Sequence, residues 1–384
     1  MRSVGIVKYH DFTFGMDGSD ALALDCGKML SPVTIRYETY GKLNKNRTNA
    51  ILIIHALTGN AHAAGYYEES DKKPGWWDEM VGPGKAFDTD KYHIVCSNCI
   101  GGCSGSTGPR SINPKTQKPY NLDFPFITIA DMVRAQHRLM DYLGIPKWLN
   151  VVGGSMGGMQ ALQWALDYPD RVESVSAIAT CARLSSQSIA FNWVGRDAIM
   201  KDPVWSKSNG NYENEVPENG LAIARMLAHI TYLSDESMSN KFGRKLREAD
   251  NYGYDFSKNF EVENYLEYQG QRFVERFDAN CYLYITRAMD YFDLAEKSKG
   301  DLTECFSKVM SRFLVVSFSS DWLFSPSNSK DIVKALRANN KDVVYCNIDS
   351  NYGHDAFLLE VDTVGRLISD YLSSVFEKVN NVDA

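Results

Sequence analysis

The chain has 384 residues, 44% of them hydrophobic and 23% charged, the balance of an ordinary globular protein. Its net charge of −7, without any Lys/Arg-rich block, argues against a nucleic-acid surface, which needs a clustered basic face. No apolar run approaches the ~18 residues that span a bilayer, so no membrane partner is expected.

The first residues, MRSVGIVKYHDFTF, lack the apolar core and small-residue cleavage site of a secretory signal, which gives a cytoplasmic reading. In that compartment the eight cysteines, at 26, 96, 99, 103, 181, 281, 305 and 346, are expected to be reduced and mostly buried. Ala50–Ile54 (AILII) and His93–Cys96 (HIVC) read as buried parallel strands, because their apolarity is continuous and not alternating. Cys96, Cys99 and Cys103 have a spacing that raises a metal site. They straddle a strand end and a glycine-rich loop with no fourth cysteine nearby, so no metal is expected.

Next come a helix over Ile129–Leu143, ended by Gly144 and Pro146, and a strand over Leu149–Val152. A helix over Met156–Tyr168, ended by Pro169, leads to a strand at Val175–Ala179. From about Leu184 to Leu302 the chain is rich in helix formers, aromatics and charge and has no strand-like run. Phe313–Phe318 and Val343–Ile348 resume the strand pattern, and Val361–Val379 closes as an amphipathic helix. This alternation predicts a doubly wound, mostly parallel α/β sheet. Residues 1–183 and 303–384 form its core, and 184–302 is inserted as a helical lid subdomain.

The sharpest motif is Gly153-Gly154-Ser155-Met156-Gly157, a G-x-S-x-G between an apolar strand and a helical run. A serine there sits on a tight strand-to-helix turn as a nucleophile. Taken alone, the pentapeptide fits a plain phosphate-cradling turn equally well, although no Lys-Ser/Thr pair follows as in a P-loop. Serine needs a base, and the chain has seven histidines, at 10, 55, 62, 93, 137, 229 and 354. In an α/β-hydrolase the order is Ser, acid, His, which leaves His229 and His354. His229 lies in the lid pattern, whereas His354 lies in a polar loop just after the last strand, so His354 is the candidate. Ser319-Ser320-Asp321-Trp322 follows Phe313–Phe318 directly, which delivers Asp321 at a strand's carboxyl end and makes it the candidate acid. Its competitor, Asp331, reads as the cap of a helix beginning DIVKAL. For the oxyanion hole, the backbone N–H of Met156 and that of Leu57, in the loop after Ala50–Ile54, are the candidates. His55 is read as loop structure.

Several segments together resemble the homoserine O-acyltransferases of methionine biosynthesis, members of the α/β-hydrolase superfamily. They are HALTGNAHAAG (55–65), PGWWD (74–78), GPGKAFDTDKY (82–92), GGCSGSTGP (101–109), GGSMGGMQALQWA (153–165), ARMLAHITYLSD (224–235), RAMDYFDLA (287–295), SSDWLFSP (319–326) and GHDAFLLE (353–360). The resemblance implies an α/β-hydrolase fold with a helical lid and a homodimer formed through it. It implies a ping-pong transfer from acyl-CoA through Ser155 to L-homoserine, with no metal or tightly bound cofactor. It also matches Arg225 to the residue that pairs with the substrate carboxylate and Asp355 to the one that holds the ammonium. Tyr232, two helical turns after Arg225, could face the same site.

The family divides between acetyl and succinyl donors, and succinyl-using relatives tend to read DWRF where this chain has Asp321-Trp322-Leu323-Phe324. Leu323 cannot pair with a distal carboxylate, which favours acetyl-CoA. AHAAGYY, NPKTQKPY and IAFNWVGRDAI otherwise resemble the succinyl type. An esterase with the same triad, a serine O-acyltransferase and a catalytically silent binding relative are the remaining alternatives.

Overall fold

The computed structural model describes residues 3–247 and 251–381. Eight strands build the main sheet: β1 (His10–Phe14), β2 (Val33–Tyr40), β3 (Ala50–Ile54), β4 (His93–Ser97), β5 (Asn150–Gly154), β6 (Ser174–Ile178), β7 (Arg312–Phe318) and β8 (Val343–Ile348). Their order is β1-β2-β4-β3-β5-β6-β7-β8. β1 and β2 pair antiparallel, as do β2 and β4, and the remaining ladders are parallel. The expected strand positions are met within one or two residues.

Two strands lacked a signal that apolarity could show. β1 is a half-exposed edge, and β2 (VTIRYETY) carries charge inside its run. Its Glu38 is nonetheless fully buried, because Tyr40, Tyr67 and His62 all hydrogen-bond its carboxylate. β8 departs from the expectation of two covered faces. As the last strand it is partly exposed along most of its length.

Helices α1 (Ile129–Tyr142) and α2 (Met156–Asp167) pack on one face of the sheet. α1 begins with a reciprocal capping box between Thr128 and Asp131. Between β6 and β7 run α3 (Ser186–Lys201), α4 (Pro203–Ser208), α5 (Glu218–Tyr232), α6 (Asp235–Lys241), α7 (Glu261–Val274) and α8 (Ala279–Asp290). In their interior Arg196 and Asp290 pair while nearly solvent-free, and Asn192 donates to the other Asp290 oxygen at 2.9 Å. α9 (Leu302–Cys305) precedes β7, and α10 (Pro326–Ala338) links β7 to β8. Asp331 is therefore no cap: the helix starts five residues earlier, at a proline preset for its first turn, and Asp331 is exposed on its surface. After β8 come α11 (Ala356–Leu359) and α12 (Val361–Asn381). α12 covers the second face of the sheet, with Val364, Ile368 and Leu372 fully buried against β3 and β4 residues such as Ile53 and Ile94. Each such side chain contributes about 1.5–3 kcal/mol of burial. Among the described residues no helix is long and apolar enough to cross a membrane.

Candidate active site

The carboxyl ends of β5, β7 and β8 deliver three side chains to one edge of the sheet. Ser155 follows β5 immediately and has φ 57° and ψ −123°, a conformation that non-glycine residues rarely adopt. Its carbonyl is held from three sides, by the Thr180 hydroxyl (2.8 Å) and the N–H groups of Gly158 (2.9 Å) and Met159 (3.2 Å). These bonds over-determine the strained turn. A glycine at 157 is required by close approach, since a Cβ there would collide with the carbonyl of Ile54. The serine motif thus has the strained, tightly held geometry that a nucleophile elbow requires.

Asp321 ends the turn after β7. Its Oδ1 accepts from the N–H groups of Leu323 (3.0 Å) and Phe324 (2.9 Å), and its Oδ2 lies 2.8 Å from Nδ1 of His354. Both side chains are almost fully buried. Burial alone would lower the proton affinity of His354. The charge and hydrogen bond of Asp321, with Asp355 adding, outweigh it, and the pKa rises above the ordinary imidazole value. An Nδ1–H donated to Asp321 leaves Nε2 free to act as a base.

No hydrogen bond joins the Ser155 hydroxyl to His354 among the described residues. The two share neighbours instead. Tyr232 and Phe324 line the cleft that Ser155 opens into, and their rings lie 6.0 and 5.1 Å from that of His354. Such contacts often tighten only once substrate binds.

Leu57 and Ser155 line the same cleft. The loop carrying Leu57 is fixed at several points. His55 donates from Nδ1 to the Ala56 carbonyl (2.8 Å) and accepts at Nε2 from the Cys99 N–H (3.1 Å), while Trp76 donates to the Asn60 carbonyl (2.9 Å). Burial lowers the His55 pKa, in keeping with a neutral structural ring. Met156 opens α2, where the first N–H groups have no partner within the helix.

Arg225 projects from α5 and is 9% exposed. Its guanidinium lies over the rings of Phe273 (4.8 Å) and Tyr232 (5.6 Å) and reaches the Thr58 hydroxyl at 3.4 Å. Asp355 sits beside His354 and makes no hydrogen bond or ion pair among the described residues. Burial raises its pKa, while the charges of His354 and Arg225 oppose that rise. His229, one turn after Arg225, is pushed down to about 3 by burial and by the positive charges of Arg225, Lys241 and Arg276. It bonds Tyr265 at 3.1 Å and stands on α5, in the helical insertion between β6 and β7.

Three features had no legible signal. Thr180 locks the elbow, and Thr58 anchors Arg225. The α5–α6 junction also clamps the loops that carry Asp321 and His354: Trp322 donates to the Leu233 carbonyl (2.9 Å), Ser234 to the Asn351 carbonyl, and Asn351 to Glu236 (2.7 Å). The cysteine trio does not converge. Cys96 faces the Asn60 carbonyl at 3.7 Å, Cys103 faces that of Arg276 at 3.9 Å, and all eight thiols are free. Among the described residues no three His, Cys, Asp or Glu side chains cluster as a metal would require.

A family model for the alpha/beta hydrolase fold matches residues 49–361. A homoserine O-acetyltransferase of Methanohalobium evestigatum is 57% identical over 93% of this chain and 72% of its own length. A homoserine O-succinyltransferase of Alkalilimnicola ehrlichii is 52% identical over 98% of this chain and 97% of its own. Among solved structures, homoserine O-acetyltransferase from Bacillus anthracis superposes with a TM-score of 0.88 at 31% identity, covering 96% of this chain and 98% of that one. Esterase E22 superposes with a TM-score of 0.86 at 31% identity, covering 96% and 100%. On sequence and fold, the chain belongs to the α/β-hydrolase-fold family and, within it, to the homoserine O-acyltransferases.

Proposed function

We propose that the protein transfers an acetyl group from acetyl-CoA to the side-chain hydroxyl of L-homoserine through an acyl-enzyme on Ser155, giving O-acetyl-L-homoserine for methionine biosynthesis. In the first half-reaction His354 takes the Ser155 proton as the oxygen attacks the thioester carbonyl. The Leu57 and Met156 N–H groups stabilise the oxyanion, and His354 returns the proton to the departing CoA thiol. In the second, His354 deprotonates the homoserine hydroxyl, which attacks the acyl-enzyme, and Ser155 regains its proton on collapse. Asp321 holds the imidazole tautomer and stabilises the imidazolium throughout. The chemistry calls for acyl-CoA as a co-substrate and for no metal or tightly held cofactor.

The observation that carries this reading is the placement of Arg225 and Asp355. Arg225 lies over the Tyr232 ring, that ring faces His354, and Asp355 follows His354 in sequence; neither charge makes an ion pair among the described residues, so one is open to a carboxylate and the other to an ammonium. An esterase has no use for that pair. The acetyl donor is supported by Leu323, which lines the Ser155 cleft with Leu184, Phe191, Leu227 and Met289. A succinyl carboxylate in that wall would be desolvated without a partner. We also place the enzyme in the cytoplasm, where acyl-CoA is available, as a homodimer joined through the lid.

The test offers purified protein acetyl-CoA or succinyl-CoA with L-homoserine or L-serine and identifies products by mass. O-acetylhomoserine is expected. Succinylhomoserine alone overturns the donor assignment, O-acetylserine alone overturns the acceptor, and free acid without an acylated amino acid leaves an esterase.

A further inference from the structure

Arg225 is accompanied by a second unpaired guanidinium. Arg276 follows α7, and its guanidinium lies 5.3 Å from the Phe273 ring that Arg225 approaches to 4.8 Å. Both arginines are anchored on one residue of the loop that follows Leu57. Arg225 reaches the Thr58 hydroxyl at 3.4 Å, and Arg276 donates to the Thr58 carbonyl at 3.1 Å. Three arginines of the same insertion are neutralised locally, Arg196 and Arg287 by Asp290 and Arg272 by Glu275, whereas Arg244 meets a tyrosine hydroxyl and a ring. Among the described residues neither Arg225 nor Arg276 meets a carboxylate, and the Nε of Arg225 is buried without any partner. Holding two like charges around one ring is unfavourable on its own. Arg276 is exposed at the surface, and its basicity is lowered by partial desolvation first and by the charge of Arg225 second. A bound anion would remove that repulsion.

We propose that Arg276 is a second anion-binding residue of the active site, taking an oxyanion group of a substrate (carboxylate or phosphate) in concert with Arg225. This rests on the acyl-transfer reading and extends it, because acceptor recognition by Arg225 and Asp355 leaves Arg276 without a role. Two sources supply the same chemistry: the α-carboxylate of the amino-acid acceptor, gripped from two sides, or a phosphate of the CoA donor entering beside Thr58. The planar fork suits either one.

Calorimetric titration of wild type, Arg276→Met and Arg276→Lys with L-homoserine, desulfo-CoA and pantetheine separates these sources. The methionine variant is expected to bind one anionic ligand about tenfold or more weakly, the scale of a lost charge-assisted hydrogen bond, with lysine restoring part of the loss. Weakening confined to L-homoserine assigns the carboxylate. Weakening confined to desulfo-CoA, with pantetheine unaffected, assigns the phosphate. Unchanged affinity for both ligands in Arg276→Met overturns the proposal while leaving the acyl-transfer reading intact. A wild-type protein that binds neither ligand sinks the reading itself. A circular dichroism melt confirms that each variant is folded, and should Arg276→Met fail it, Arg276→Lys carries the same comparison.

Discussion

Asp321 uses both carboxylate oxygens, one on two backbone N–H groups and one on His354, so the ring is oriented before any substrate arrives. On the proposed mechanism, removing the Ser155 hydroxyl leaves that machinery nothing to activate. Ser155→Ala is expected to lower kcat by about 10⁴-fold or more, measured as acetyl transfer to L-homoserine. Full activity in that variant would exclude the acyl-enzyme. The pH dependence has a definite sign. His354 must be neutral to accept a proton, and its pKa is raised by Asp321 and Asp355 against the pull of burial. The rate therefore falls as pH drops through a pKa above about 6.5. Asp355→Asn removes one of the negative charges favouring the imidazolium, so the acid limb of kcat/KM should move to lower pH while KM for L-homoserine rises. An acid limb that stays in place, with KM unchanged, would show that Asp355 neither faces the ring nor reads the acceptor.

At the scale of elements, the α5–α6 junction acts as a brace across the two loops that carry the acid and the base. Gly353 shows how closely it is fitted. Its φ is 72°, and a Cβ would lie 2.5 Å from the Ser234 N and 2.7 Å from the Leu233 carbonyl carbon, atoms of the brace itself. Gly353→Ala must strain the backbone and push His354 from Asp321. Thermal midpoint and kcat should fall together, with roughly 1–3 kcal/mol lost in stability. Unchanged kcat would mean that the brace supports the lid but not the triad. The lid has its own internal dependence on Asp290. Asp290→Ala strands the buried guanidinium of Arg196, whose Nε and Nη1 already have no partner. Breaking such a pair costs about 3–5 kcal/mol, readable as a lower midpoint in urea. A variant as stable as wild type would show that the two charges contribute little to holding α3 against α8.

Across the whole molecule, legibility followed burial chemistry. Strands covered on both faces announced themselves as apolar runs, and the Ser, acid, His order then pointed to Ser155, Asp321 and His354, which do follow strand ends, with Asp321 and His354 bonded. What stayed hidden depends on contacts between segments far apart in sequence. Glu38 reads as a surface charge until Tyr67 and His62 fold over it, and Arg276 gives no sign in sequence that Thr58 will lie beneath it. The inserted helices also carry exposed apolar side chains. Trp193 and Val194 on α3 are 49% and 51% exposed, and Ile223 and Ile230, seven residues apart on one side of α5, are 47% and 40% exposed. Isolated exposed apolar residues are common, but this lid also has Tyr268 of α7 exposed at 56%. A homodimer burying these side chains would remove them from water and brace α5, the helix that bears Arg225 and Tyr232. Sedimentation should then give twice the chain mass at micromolar concentration. Trp193→Asp, which places a charge where a partner would pack, should shift the protein towards monomer and weaken homoserine binding through α5. A wild-type protein that sediments as a monomer overturns the lid-mediated dimer, and a monomeric variant with undiminished homoserine affinity shows that α5 is held by the core alone.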